Sequence, residues 1–288
     1  MDEKPVLGVI GGSGLYDMQD LTDVDMQEVS TPFGQPSSPL AIGKLKGRKV
    51  AFLARHGIGH IYPPTDVNYR ANIYAMKMFG VERILAVSAC GSLREDYVPG
   101  EIVVPDQLFD RTVSRQRSFF ESGLVTHISV ADPFCPDLSE LVATSTEEVS
   151  GSVHRGGTYI TIEGPRFSTR GESNIYRAWG ISIIGMTTSP EAFLAREAEM
   201  CYAVMAHVTD YDVWHQAEEP VTVGMVFQTL KKNIDLAQEV IVRLVADLPE
   251  KVSCECPTAL KNAIATKPEI ISDVARKRYS LLVDRYLT

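Results

Sequence analysis

The chain reads as a single α/β domain with a mixed central β-sheet flanked by helices. Three observations predict that class. Short apolar runs with the character of buried strands alternate along the chain with longer helical segments. Several runs stop abruptly at glycines, hydroxyls or charged residues, as 202–208 does at Thr209, Asp210 and Asp212, and open α/β sheets collect ligands outside the carboxyl ends of their parallel strands. The length, 288 residues at 44% hydrophobic composition, is enough to bury one large core, with two domains as the alternative.

Residues 6–10 form the first strand and run into Gly11-Gly12-Ser13-Gly14, a turn that exposes backbone N–H groups to a phosphate or is a plain tight turn. Asp17 stands where a dinucleotide fingerprint needs its third glycine, which excludes a Rossmann cofactor site. Residues 21–47 are polar and rich in Pro, Gly and Ser, with a hairpin expected at 43–49. Residues 50–54 are a second buried strand ending in Arg55-His56, where a guanidinium fork matches phosphate oxygens and an imidazolium would add a donor. His56 and His60 have the i, i+4 spacing of a metal pair, but Gly57 and Gly59 argue against the helix that spacing requires.

Residues 68–79 are helical and stop at Gly80. Residues 83–88 are a strand expected to break at Ser88-Ala89-Cys90-Gly91-Ser92, with Ser88 a further anion ligand and Cys90 a small buried residue rather than a nucleophile. Residues 99–105 hold a turn and a short strand, and 114–129, which include His127, read as an exposed loop facing a neighbour. Residues 136–151 are helical, and 158–162 form a strand that leads through Phe167 and Ser168 into another helix. Phe167 stacks on a flat ligand or simply packs. The strand at 181–186 reaches Thr187, with Ser189 and Pro190 as an N-cap and first-turn pair. After the acids Asp210 and Asp212, which suit a ligand, a solvated turn or a helix cap, a long amphipathic helix spans 221–248 and a final one 268–286.

The composition excludes several classes. The formal net charge is −9, with no basic cluster interleaved with aromatics, so nucleic acid is not an expected partner. No apolar run reaches transmembrane length and the N-terminus is acidic, which predicts a cytoplasmic protein with no membrane partner. The five cysteines (Cys90, Cys135, Cys201, Cys254 and Cys256) look too few and too scattered for a disulfide framework or a four-ligand zinc site.

Together the strand ends offer Ser13, Arg55, His56, Ser88 and Thr187 to an anion, and Asp210 with Asp212 to a neutral ligand bearing N–H groups. That division suits phosphorolysis of a nucleoside, in which phosphate attacks the sugar carbon as the base leaves. No metal, cofactor or amino-acid nucleophile is needed, inorganic phosphate being a co-substrate. Adenine presents an amine that a carboxylate accepts, whereas 6-oxopurines present an oxygen that it repels, so two aspartates favour 6-aminopurines.

The sequence resembles the trimeric purine nucleoside phosphorylase superfamily, most closely its methylthioadenosine-cleaving branch, from about Val6 to about Leu248. The resemblance rests on Ile10-Gly-Gly-Ser-Gly-Leu15, Leu53-Ala-Arg-His-Gly57, Val67-Asn-Tyr-Arg-Ala-Asn72, Ser88-Ala-Cys-Gly-Ser-Leu-Arg94, Ile162-Glu-Gly-Pro-Arg-Phe-Ser168, Gly185-Met-Thr-Thr188 and Thr209-Asp-Tyr-Asp-Val-Trp214. It implies a purine nucleoside phosphorylase-like fold, with a nucleoside phosphorylase domain at 1–250 and a helical segment at 251–288 packed on it. It implies phosphorolysis of 5'-methylthioadenosine to adenine and 5-methylthioribose 1-phosphate by a homotrimer or a dimer of trimers. Ser13, Arg55, His56, Ser88, Ala89 and Thr187 would hold phosphate and Met186 would lie against the ribose. Phe167 and Ser168 would line the base pocket, Asp212 would read the purine edge, and Asp210 would do so while stabilising N7 as the catalytic acid. His127 from an adjacent subunit, with Val223 and Val226, would cover the 5' group. Cys254 and Cys256 are expected as free surface thiols, against the local disulfide or redox element of some relatives from hot environments. The rival activities are a 6-oxopurine or methylthioinosine phosphorylase, a non-catalytic nucleoside-binding protein, and a hydrolase.

Overall fold

Ten consecutive buried residues, Cys201–Asp210, form the strand on which the sheet is centred. The computed structural model describes residues 3–215 and 223–287, without the side chains of Ser13 and of 223–232. In chain order the elements are β1 (Leu7–Gly11), β2 (Thr22–Gln27), β3 (Leu40–Leu45), β4 (Arg48–Ala54), α1 (Tyr69–Met78), β5 (Arg83–Ser92), β6 (Ile102–Val104), β7 (Gln107–Arg111) and α2 (Pro136–Ser150). There follow β8 (His154–Arg155), β9 (Thr158–Ile162), α3 (Arg170–Ala178), β10 (Ile183–Gly185), α4 (Thr188–Glu197), β11 (Cys201–Asp210), α5 (Val223–Asp247) and α6 (Asp273–Val283).

The strands form one mixed sheet in the order β2-β3-β4-β1-β5-β10-β9-β7, with β11 on the other side of β5, then β6 and β8. The centre is parallel: β1 pairs with β4 and β5, and β5 with β11. The edge hairpin β2–β3–β4 is antiparallel. Central strands covered on both faces must be apolar throughout, and β1 and β11 are wholly buried. One face packs α1, α4 and α6 through residues such as Ile73, Leu194 and Leu282. The other packs α2 and α5 through Leu138, Val142, Val240 and Leu244. Caps set the helix starts: Asn68 accepts from the Ala71 N–H, and Thr169 and Glu172 form a reciprocal capping box. Gly151, at φ +78, closes α2.

Four sequence expectations are corrected. β5 does not break at Ser88; it runs to Ser92, because β11 pairs along it and β10 pairs with its last residues. Small residues there are a packing requirement: a Cβ on Gly91 would sit 2.9 Å from Asp210 Oδ1. The polar stretch at 21–47 contains strand β2, whose exposed edge position explains its charged composition. The stretch at 114–129 is only partly exposed, since Arg115, Phe119, Phe120 and Leu124 are buried. The cysteines, finally, are not scattered, and Cys256 is not on the surface. It is 2% exposed, and the sulfurs of Cys135, Cys201, Cys254 and Cys256 lie within 4.8 Å of one another, residues distant in sequence being brought together by the starts of α2 and β11.

Candidate active site

A cavity of about 580 Å³ opens at the carboxyl ends of the parallel strands. Arg55, His56, Ser88, Ala89, Phe167, Ser168, Met186, Thr187, Asp210 and Asp212 all line it, so the strand-end residues singled out in the sequence share one space.

Arg55 is 3% exposed, which demands a partner, and the partner is Glu191 of α4, wholly buried, with both oxygens 2.8 Å from Nε and Nη2. Nη1 donates to the Val87 carbonyl and Nη2 to that of Ile10. Of the five guanidinium N–H groups, one on Nη1 therefore remains for the cavity. Burial alone would lower the Arg55 pKa, but the Glu191 charge and hydrogen bonds reverse that and raise it, so the cation is permanent. Glu191, also bound by the Tyr202 hydroxyl at 2.8 Å, went unnoticed in the sequence because it looks like an ordinary acid in the first turn of a helix.

His56 corrects the expectation of an imidazolium. Its Nδ1 lies 2.9 Å from the Tyr62 carbonyl, an acceptor, so Nδ1 carries the hydrogen and Nε2 offers a lone pair. Burial first, and then the Arg55 charge, hold its pKa at about 4. The ring is neutral at physiological pH and accepts where a donor was foreseen. His60 stacks on it at 4.3 Å between centroids. The hydroxyls of Ser88 and Thr187 meet at 3.3 Å, bringing the middle of β5 to the start of α4.

The acids are set by a register shift in the β11–β5 pairing: Val208 faces Cys90 and Asp210 faces Gly91. Asp210 accepts from the Thr209 hydroxyl at 2.7 Å and from the Asp212 N–H at 2.8 Å. Asp212 has φ +51, a conformation Asp and Asn tolerate better than most residues. Its Oδ2 is buried without a hydrogen-bond partner, as is the Ser168 hydroxyl. Burial pushes the Asp212 pKa up, partly offset by the Ser173 hydroxyl, the Val213 N–H and the Ser168 hydroxyl. Trp214 donates to the Ser92 carbonyl at 2.8 Å and tethers the turn that follows. Gly91 faces Asp210 and Ser88 lies three residues earlier, so the acids and the paired hydroxyls stand roughly 10 Å apart along the strand.

Arg115, from the stretch read as an exposed loop, holds the cavity wall from behind. It donates to the carbonyls of Met186 at 2.7 Å, Ser189 at 2.6 Å and Glu163 at 2.6 Å, and to the Tyr69 hydroxyl. His127 does not line the cavity; it is exposed, with its N–H bonded to the Ala263 carbonyl at 2.8 Å. The side chains of Ser13, Val223 and Val226 lie outside the described residues. The long helix does reach the cavity at Asn233, Ile234 and Ala237, which the sequence did not single out. Asn233 presents a buried, unpartnered Nδ2 donor.

A model of the phosphorylase superfamily matches residues 6–246. The chain is 50% identical over 285 residues to the S-methyl-5'-thioadenosine phosphorylase of Geobacter sulfurreducens, covering 99% of this chain and 100% of the relative. It is 48% identical over 280 residues to that of Koribacter versatilis, with 97% and 96% covered. Among solved structures, a methylthioadenosine phosphorylase from an Antarctic soil metagenomic library superimposes with a TM-score of 0.92 at 44% identity, covering 98% of this chain and 100% of the other. The methylthioadenosine phosphorylase of Schistosoma mansoni in complex with adenine does so with a TM-score of 0.84 at 39% identity, covering 90% and 96%.

Proposed function

This chain belongs to the phosphorylase superfamily, and from that premise we infer how its cavity carries out the reversible phosphorolysis of 5'-methylthioadenosine. The enzyme is a pentosyltransferase that acts on a small-molecule nucleoside and phosphate, giving adenine and 5-methylthio-α-D-ribose 1-phosphate. The observation that carries the base assignment is Asp212 Oδ2, a buried acceptor left unpartnered in a ligand-sized cavity. A site of this kind gains from a ligand donor, and the adenine 6-amino group is one; the O6 of a 6-oxopurine would leave it facing another acceptor.

Asp210 stands beside N7 and stabilises it as the glycosidic bond breaks, held in place by Thr209 and the Asp212 N–H. General-acid help of this kind contributes roughly 10²- to 10⁴-fold. Phe167 and Ser168 flank the base and Met186 lies under the ribose. Phosphate sits among the free Arg55 N–H, the Ser88 and Thr187 hydroxyls, Ala89 and the glycine turn with Ser13. Because His56 Nε2 is an acceptor, the phosphate brings the proton between them and binds as a protonated anion, whose remaining charge stabilises the cationic sugar before an oxygen captures it. Phosphate is a co-substrate and the reaction requires no cofactor.

The 5' group is covered by Val223, Val226 and His127 of an adjacent subunit. The exposure of His127 away from its own cavity favours that arrangement, and with it a homotrimer or a dimer of trimers. No helix among the described residues is long and apolar enough to cross a membrane; we place the enzyme in the cytoplasm, with no nucleic-acid partner. The test is base release from methylthioadenosine, adenosine, methylthioinosine and inosine, with and without phosphate. Phosphate-dependent adenine release, fastest from methylthioadenosine, is expected; preference for the inosines overturns the reading of Asp212.

A further inference from the structure

Four of the five cysteines meet at the opposite end of β11 from the acids. Cys135 is the residue before α2 and Cys201 opens β11. Cys254 and Cys256 follow α5, with Cys256 starting a short 3-10 turn. Cys201 and Asp210 bracket the ten residues of β11, so the cluster stands roughly 30 Å from the acids, and none of its members lines the cavity.

All four sulfurs lie within 4.8 Å of one another. Cys254 Sγ is 3.6 Å from Cys135 Sγ and 3.3 Å from Cys201 Sγ. These are not disulfides, whose sulfurs stand about 2.05 Å apart, and every cysteine is a free thiol. They resemble the edges of a metal–thiolate tetrahedron: zinc–sulfur bonds of about 2.3 Å put the sulfurs about 3.8 Å apart. Opening these two contacts by a few tenths of an ångström would give that spacing. Thiols are weak hydrogen-bonding partners for one another, so their mutual contact alone gives little reason to gather four of them from distant parts of the chain.

The surroundings suit the charge that such a site carries. Four thiolates around a divalent cation leave a net charge of −2, and the Arg196 guanidinium lies 3.3 Å from Cys256 Sγ, held by the Asp132 carbonyl at 2.5 Å. Cys135 sits at the N-terminus of the fifteen-residue helix α2, the end that stabilises a thiolate. Soft, all-sulfur tetrahedral sites select zinc or iron, and a closed set of four protein ligands is structural rather than catalytic.

We propose that Cys135, Cys201, Cys254 and Cys256 form a structural four-thiolate zinc site that clamps the segment after α5 to the sheet. Two ligands come from the starts of α2 and β11 and two from that segment. The segment then continues to the Leu260 N–H on Glu199 at 2.9 Å and to a bridge between Ile264 and Thr126, beside His127. Coordination displaces the thiol protons, so occupancy falls on acidification.

The test is metal analysis of the full chain, purified reduced and without chelators, beside the double variant Cys254→Ser, Cys256→Ser. One zinc per chain is expected in the wild type and none in the variant. Cobalt substitution is expected to give the visible bands of a tetrahedral thiolate site in the wild type alone, a readout that holds even if the variant folds poorly. Wild-type protein that retains no zinc above the variant after exposure to zinc under reducing conditions would overturn the proposal. So would an intact mass showing hydrogen lost to disulfides among these cysteines in freshly reduced-and-purified protein.

Discussion

Asp212→Asn separates recognition of the base from catalysis. The carboxylate oxygen that lacks a partner is buried, and burial raises the Asp212 pKa, so the free enzyme bears a cost that the bound amine relieves. A hydrogen bond to a charged group is worth about 1.5–3 kcal/mol, so kcat/KM on methylthioadenosine is expected to fall about 10- to 150-fold. The Asn amide can turn its NH₂ toward O6, so kcat/KM on methylthioinosine is expected to rise. At φ +51 Asn is tolerated as well as Asp, and removing a buried charge with one unpartnered oxygen should leave the thermal midpoint unchanged or higher. The assay is initial base release from both nucleosides at saturating phosphate, with a melting curve of the free enzyme. An equal fall on both substrates would refute base reading by Asp212, and a lowered midpoint would show that the residue is structural.

Glu191→Gln strands the buried Arg55 cation and is expected to destabilise the fold by about 3–5 kcal/mol, read as a lower denaturant midpoint; an unchanged midpoint would refute the pairing as a support of the site. His207 is wholly buried with neither ring nitrogen hydrogen-bonded, and burial lowers its pKa to about 4. The unfolded chain therefore binds the extra proton first, and stability is lost as pH falls from about 6.5 to about 4, by about 3 kcal/mol for this ring; His207→Leu should flatten that slope, and a variant with the wild-type slope would contradict it. Sulfate matches phosphate in shape but brings no proton for His56 Nε2, so it should compete about 10-fold or more less well than phosphate. That discrimination should shrink in His56→Leu, and equal competition in the wild type would remove the acceptor role of His56.

The polar ends of apolar runs were legible because a strand that stops at Arg55, Thr187 or Asp210 declares both its direction and its end. The carboxyl edge of the parallel strands then brings Arg55 and Asp210 to one cavity, whereas β10 runs antiparallel to β5 and delivers Thr187 back to Ser88 in the middle of it. Residues that act through a partner far away in sequence were not legible. Glu191 and Arg115 are charged side chains in ordinary-looking segments, and only burial against Arg55, or against the carbonyls of Met186 and Ser189, reveals their work. The protonation of His56 was misread for the same reason. A sequence shows Arg55 next to it but not the Tyr62 carbonyl or the burial that fix its tautomer and keep it neutral.

The same distinction explains the cysteines. Cys254 and Cys256 look like a local pair, yet their neighbours are the residue before α2 and the first residue of β11. β11 therefore links two unlike sites, with sulfurs at its start and acids at its end. It is buried along its whole length and parallel to β5 nearly throughout. A strand so constrained cannot slide without breaking the ladder that also places Gly91 against Asp210. Loss of the sulfur clamp should consequently loosen the segment after α5 and lower the resistance to heat, while the spacing of Asp210 from Ser88 is kept by the ladder itself. Stability and turnover are separable in this molecule because the β11–β5 ladder, and not the sulfur clamp, sets the spacing within the site.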